Sequence, residues 1–271
     1  IADFSLSDLG LVLGALASAG PKLTPPPVAA ALHAAVALQA EEAAASLSSG
    51  GSEKRVVSNI ALGSLVQGLM HVPGPPKTLA TLRPLASALA SGGHLSARTA
   101  SALLAAHAHL QMRDVLFIEH ISGSIVEQMD RNTPRAVLQR LLSSLASLGV
   151  APDALLQRID ARMVWSAPRL SLEAASEGLL SAALVGFESF SLEVLEALLS
   201  RIKELCEGGA GAGASAPGPR EAAQLAAAAF AVQVHAPQLA QSYMLEAWMV
   251  EGFAQSHRLE PPAPSGILRD V

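Results

Sequence analysis

The residues that could carry chemistry are few, and their spacing argues against catalysis. His107 and His109 form the closest histidine pair in the chain. On a helix, residues i and i+2 point to roughly opposite sides, whereas two ligands for one metal need the i, i+4 spacing. In the repeat register described below, His107 takes a core position equivalent to Leu145, so it reads as a packed histidine. Ser58 and Ser64 have no His/Asp pattern around them and read as caps or small contact residues. Gly209, Gly211 and Gly213 give a GxGxG-like spacing, but they follow a helical pattern and no Lys-Ser/Thr comes after them. That arrangement is neither a P-loop nor a dinucleotide fingerprint. Cys206, the one cysteine, ends a helical segment, where the dipole disfavours a thiolate. It permits no internal disulfide and fits a reducing compartment. No catalytic residue, cofactor or metal ligand is expected, and the chain reads as a non-enzyme.

The arginines are the remaining candidates. Arg113, Arg131, Arg135, Arg140, Arg158, Arg162, Arg169 and Arg201, with Lys203, all fall between residues 113 and 203. Acids from Asp114 to Glu196 are interleaved with them, so the segment is not basic on average. Two readings stand side by side. The cations are a solvated helix surface, or they are sorted onto one wall and form a strip that contacts RNA phosphates. The second reading names Arg113, Arg131, Arg135, Arg158, Arg162, Arg201 and Lys203 as RNA-contacting, with Arg158, Arg162, Arg201 and Lys203 on helices of one class.

Composition limits the partners. The formal net charge is −5, with 18 Lys+Arg against 23 Asp+Glu, so the chain lacks the overall basicity of many nucleic-acid binders. Aromatic residues make up 3% of the chain, few for a protein that would stack unpaired bases. Half of the residues are apolar, mostly Ala and Leu, which suits helices packed closely through small side chains. The most Ala-rich run, Val28 to Leu47, is broken by His33, Glu41 and Glu42, so no membrane span is expected.

The elements that must position these residues are amphipathic helices. From Thr133 to Gly149, the apolar positions Val137, Leu138, Leu141, Leu142, Leu145 and Leu148 form a helical stripe. Thr133 with Pro134 supplies an expected N-cap and first-turn proline, and Gly149 an expected stop. The pair Leu141–Leu142 recurs as Leu65–Val66, Leu103–Leu104 and Leu179–Leu180, each step being 38 residues. Leu9, Leu13, Leu16 and Gly20 match Leu138, Leu142, Leu145 and Gly149 at one common offset of 129 residues, three periods plus about one loop-sized insertion. A second helix class keeps the same step: Leu79, Phe117 and Leu155 are 38 apart, as are Ala80, Ile118 and Leu156.

The expected fold is therefore all-α, an α-solenoid of about six helix-turn-helix repeats with a 38-residue period. Residues 1–206 form the hairpin array, with an insertion near 47–54. Residues 207–219 read as a disordered Gly/Ala/Pro loop, 220–255 as a terminal hairpin and 256–271 as a tail. Pro84 is expected to kink the partner helix that spans 77–91.

The segment Leu138–Ile159, LxxLLxxLASLGV followed by PDxLLxxI, resembles the heptatricopeptide/octotricopeptide-repeat group of organellar proteins, relatives of the FAST-kinase-like and RAP-domain proteins. Through the repeat, the resemblance covers most of the chain. It implies a mitochondrial (matrix) protein, with the plastid as the second compartment, that acts on RNA. The expectation is a non-catalytic scaffold in an organellar ribonucleoprotein: a mitochondrial ribosome subunit that contacts rRNA and neighbouring protein subunits. The alternative is a protein-only scaffold or accessory subunit of a large mitochondrial complex.

Overall fold

In the computed structural model, the described residues are 4–20, 24–48, 59–72, 74, 77–92, 95–130, 133–207 and 219–243. They form thirteen α-helices and two 3₁₀ turns, with no strand among them. None of these helices is long and apolar enough to cross a membrane. The expected loop at 207–219 lies outside the described residues except for its two ends, as do the end of the 220–255 hairpin and the 256–271 tail. The chain divides into two compact units, Ile1–Arg158 and Ile159–Val271.

The first unit contains α1 (Leu6–Ala19), α2 (Pro26–Ser48), α3 (Asn59–His71), α4 (Lys77–Thr81), α5 (Arg83–Ser91), α6 (Ala97–His109), α7 (Val115–Gln128), α8 (Arg135–Leu148) and the start of α9 (Asp153–Ser166). Helices of one class pack on their next-but-one neighbours. Helix α1 lies on α3, α3 on α6 and α6 on α8, while α2 lies on α4 and α5, and α5 on α7. Within this unit the helices therefore fall into two alternating packed sets.

Local chemistry explains where most helices start. Ser5 and Asp8 form a reciprocal capping box at α1. The Ser96 hydroxyl accepts from the Thr99 amide, and the Asp114 carboxylate from the Phe117 amide. Gly149 ends α8 in the left-handed region at φ 60°, where a side chain would be strained. Two expectations need correction. Pro134, not Thr133, occupies the cap position of α8, because the Thr133 hydroxyl is engaged with Asp130 instead. Pro84 does more than kink its helix: α4 ends at Thr81 and α5 begins at Arg83. A proline lacks the amide that would bond back one turn, and its ring crowds the carbonyl there.

Close approach of small residues holds α1 to α3. A Cβ on Gly68 would lie 2.4 Å from the Leu13 Cβ and 2.9 Å from the Leu13 carbonyl carbon. Leu9, Leu13, Leu62, Leu65 and Val66 are fully buried in this region. Polar ties between neighbouring hairpins add direction to this packing. The Ser96 amide donates to Asn59 Oδ1 (2.7 Å), the Thr99 hydroxyl to the Asn59 carbonyl (3.0 Å), and Arg83 pairs with Asp114 (2.5 Å).

The second unit holds the rest of α9, a 3₁₀ turn at Ala167–Arg169, α10 (Leu172–Val185), a second 3₁₀ turn at Phe187–Ser189, α11 (Leu192–Glu207), α12 (Pro219–His235) and α13 (Pro237–Ser242). Helix α10 packs on α11 and α12, α12 on α13, and the first 3₁₀ turn on α11. The expected helix 171–187 ends at Val185, because Gly186 departs to φ 120° and the chain then tightens into the second 3₁₀ turn.

Candidate nucleic-acid interface

The site grows out of the last two turns of α9. Leu155, Leu156, Ile159 and Met163 are buried, and they fix which side of the helix faces inward. The opposite side carries Arg158, Ala161 and Trp165, all exposed. Arg162, Trp165 and Arg169 follow the i, i+3, i+7 spacing that places side chains on one helical face. Pro168 lies in the 3₁₀ turn, where the Leu170 amide donates to the Ala167 carbonyl at 3.1 Å. The tightened turn carries Arg169 back towards the helix.

The result is an indole with two guanidinium groups over it. The Arg162 guanidinium carbon lies 5.0 Å from the centre of the Trp165 ring, and that of Arg169 lies 4.8 Å from it. Both distances fall within the range of cation–π attraction. Trp165 is still 55% exposed, in a chain with only two tryptophans. An exposed ring beside two fixed cations can contact a planar base and phosphate oxygens together.

Arg201, on α11, approaches the same turn. Its Nε donates to the Leu170 carbonyl at 2.9 Å, one residue beyond Arg169, and its Nη1 pairs with Glu204 at 2.9 Å. Arg201 thus ties α11 to the turn, and Glu204 offsets part of its charge.

The other candidate residues are dispersed. Arg113 donates from Nη2 to the Gly149 carbonyl at 2.8 Å, which satisfies the C-terminal end of α8. Arg135 is exposed at the first position of α8, and Arg158 is exposed one turn before Arg162 on α9. Arg131 lies outside the described residues. Lys203 lines an open groove of about 630 Å³ together with Glu196, Ser200, Glu204, Leu239 and Tyr243. The Tyr243 and Ser200 hydroxyls meet there at 2.7 Å. The two glutamates beside Lys203 interrupt any run of positive charge on that side of α11.

The histidine pair is arranged as its spacing predicts. His109 is exposed, while His107 is wholly buried and stacks on Phe117 with ring centres 5.0 Å apart. His107 Nδ1 donates to the Leu103 carbonyl at 2.8 Å, so Nε2 is the acceptor nitrogen, and it has no partner. Burial pushes its pKa below the usual histidine value. His33 is buried too, with Nδ1 2.8 Å from the Thr78 hydroxyl and Nε2 3.3 Å from the Val72 carbonyl. Because a carbonyl only accepts, Nε2 carries the proton and Thr78 donates to Nδ1. Among the described residues, no three His, Cys, Asp or Glu side chains come together as a metal site would require. Cys206 is exposed on the last turn of α11; Ser58 and the Gly209–Gly213 run lie outside the described residues.

The sequence reading did not single out Trp165, and it counted Arg169 without placing it in the strip. A signal was available: one tryptophan between two arginines at helical spacing, in an aromatic-poor chain. No protein-family model matches this chain, and no curated protein matches it.

Proposed function

We propose that this chain is a non-catalytic α-solenoid of 38-residue hairpins that serves as a subunit of an organellar ribonucleoprotein, the mitochondrial ribosome, and contacts rRNA. The observation that carries the reading is the exposed Trp165 ring with Arg162 and Arg169 over it. Base stacking tolerates any sequence, and guanidinium groups bind phosphate, so such a cluster suits RNA held by shape and position. A net charge of −5 argues against binding RNA along the whole surface. A local contact, reinforced by neighbouring subunits, fits that charge. The resemblance of Leu138–Ile159 to heptatricopeptide/octotricopeptide repeats supports the same compartment and class.

A protein-only scaffold in a large mitochondrial complex is the second reading. It is favoured by the engagement of Arg113 and Arg201 with backbone carbonyls and by the glutamates around Lys203. Sedimentation of organelle extract, followed by ultraviolet crosslinking and sequencing of the attached RNA, separates the two. Reproducible rRNA crosslinks in the ribosomal fractions support the first reading. Migration in a large assembly with no RNA attached overturns it in favour of the second.

A further inference from the structure

The shape of the Trp165 cluster narrows the class of RNA that it can take. The ring keeps 55% of its surface in solvent with both guanidinium groups in place, so the cations do not close it off. A base inside a duplex has neighbours on both faces and offers an exposed ring nothing to stack on. An unpaired base, splayed out of a loop or bulge, presents a free face. With one exposed indole in the cluster, the stacking contact is made with one such base at a time.

The charges around the ring point the same way. The Arg162 and Arg169 guanidinium carbons lie 5.0 and 4.8 Å from one ring centre. Both groups serve a single indole, so they reach phosphates close to the stacked base, those on either side of its own sugar. Duplex recognition instead spreads its contacts over successive grooves. The cations of α11 do not extend the cluster in that way. Arg201 is bonded to the Leu170 carbonyl and to Glu204, and Glu196 and Glu204 share the groove that Lys203 lines. Asp160, the acid nearest to the cluster in sequence, is turned to the start of α11, where its Oδ1 accepts from the Ser191 amide at 2.9 Å and hydroxyl at 3.1 Å. We infer that the Arg162–Trp165–Arg169 cluster takes one unpaired nucleotide of an RNA loop or bulge, with its base stacked on the indole and its flanking phosphates held by the two guanidinium groups. This rests on the RNA reading of the same site.

The test measures binding of the full-length protein to three labelled RNAs by fluorescence anisotropy. They are a blunt duplex, the same duplex with one central unpaired adenosine, and the same bulge with an abasic ribose in place of that adenosine. The adenosine bulge should bind about fivefold to hundredfold tighter than the abasic bulge, the range that one base stacked on an aromatic ring commands. It should exceed the blunt duplex by at least as much. Trp165→Ala should erase the difference between the two bulges, and Trp165→Phe should keep most of it. Arg162→Ala and Arg169→Ala should weaken binding of both bulges alike. An unchanged circular-dichroism spectrum verifies that each variant keeps the fold. Equal affinity for the duplex and the adenosine bulge, or for the two bulges, overturns the inference while RNA contact stands. So does a difference that survives Trp165→Ala. If none of the three RNAs binds more tightly than it does to the Arg162→Ala/Trp165→Ala/Arg169→Ala variant, the RNA reading itself falls, and the inference with it.

Discussion

The guanidinium of Arg169 lies 4.8 Å from the centre of the Trp165 ring, across the point where α9 gives way to a 3₁₀ turn. Arg162, on the preceding turn, reaches the same ring at 5.0 Å. The cluster joins two helical turns and depends on the tightening at Ala167–Arg169.

Trp165→Ala is expected to weaken binding of an rRNA fragment about fivefold to hundredfold, the range set by base–aromatic stacking of roughly 1–3 kcal/mol. Thermal stability should change little, because more than half of the side chain is in solvent. Anisotropy of a labelled rRNA fragment reads the affinity, and thermal melting followed by circular dichroism reads the stability.

Arg162→Ala and Arg169→Ala should each flatten the salt dependence of RNA affinity by about 0.7 to 0.9 in log–log slope, one phosphate contact apiece. Arg113→Ala should leave that slope unchanged, because its guanidinium is bonded to the Gly149 carbonyl. Anisotropy titrations between low and physiological salt measure this directly.

Gly68→Ala should destabilise the first unit by about 1–3 kcal/mol, the usual cost of overpacking a well-filled contact. The new methyl would meet the Leu13 backbone as well as its side chain, so α1 and α3 must separate. Urea unfolding followed by circular dichroism should show a lower midpoint. An unchanged midpoint would mean that the two helices do not pack as closely as described.

Acid should weaken the fold through His107 and His33, whose pKa values are both lowered, first by burial. A histidine that resists protonation when folded contributes stability above its unfolded pKa, near 6.5, and that stability is lost as the pH falls through and below this value. At His107 the cost is structural as well, since a proton on Nε2 would be a buried donor with no acceptor. His107→Leu, which removes the titrating ring from this buried position, should flatten the stability profile between about pH 7 and pH 5. Denaturant midpoints across that range measure the slope.

Much of the local architecture is legible in the sequence because its causes are local. Ser5, Ser96, Asp114 and Ser171 each sit three residues before an amide that their side chain caps, and Gly149 marks a left-handed stop. The failures come from competition and tertiary geometry. Thr133 had the right residue type for a cap, but Asp130 offered its hydroxyl another partner. Arg113 and Arg201 read as surface cations until the fold brought the carbonyls of Gly149 and Leu170 within reach. The spacing of Arg162 and Trp165 was readable. The 3₁₀ turn that carries Arg169 back to the ring was not, because its packing on α11 joins segments distant in sequence.

The most direct test of the RNA-contacting role compares the unaltered protein with the Arg162→Ala/Trp165→Ala/Arg169→Ala variant in the organelle, by ultraviolet crosslinking and mass-spectrometric mapping of nucleotide-bearing peptides. The account predicts rRNA adducts on the peptide that contains Trp165. It predicts their loss in the variant, while the variant still sediments with its assembly. Adducts that persist in the variant, or an assembly that yields none from the unaltered protein, would contradict it.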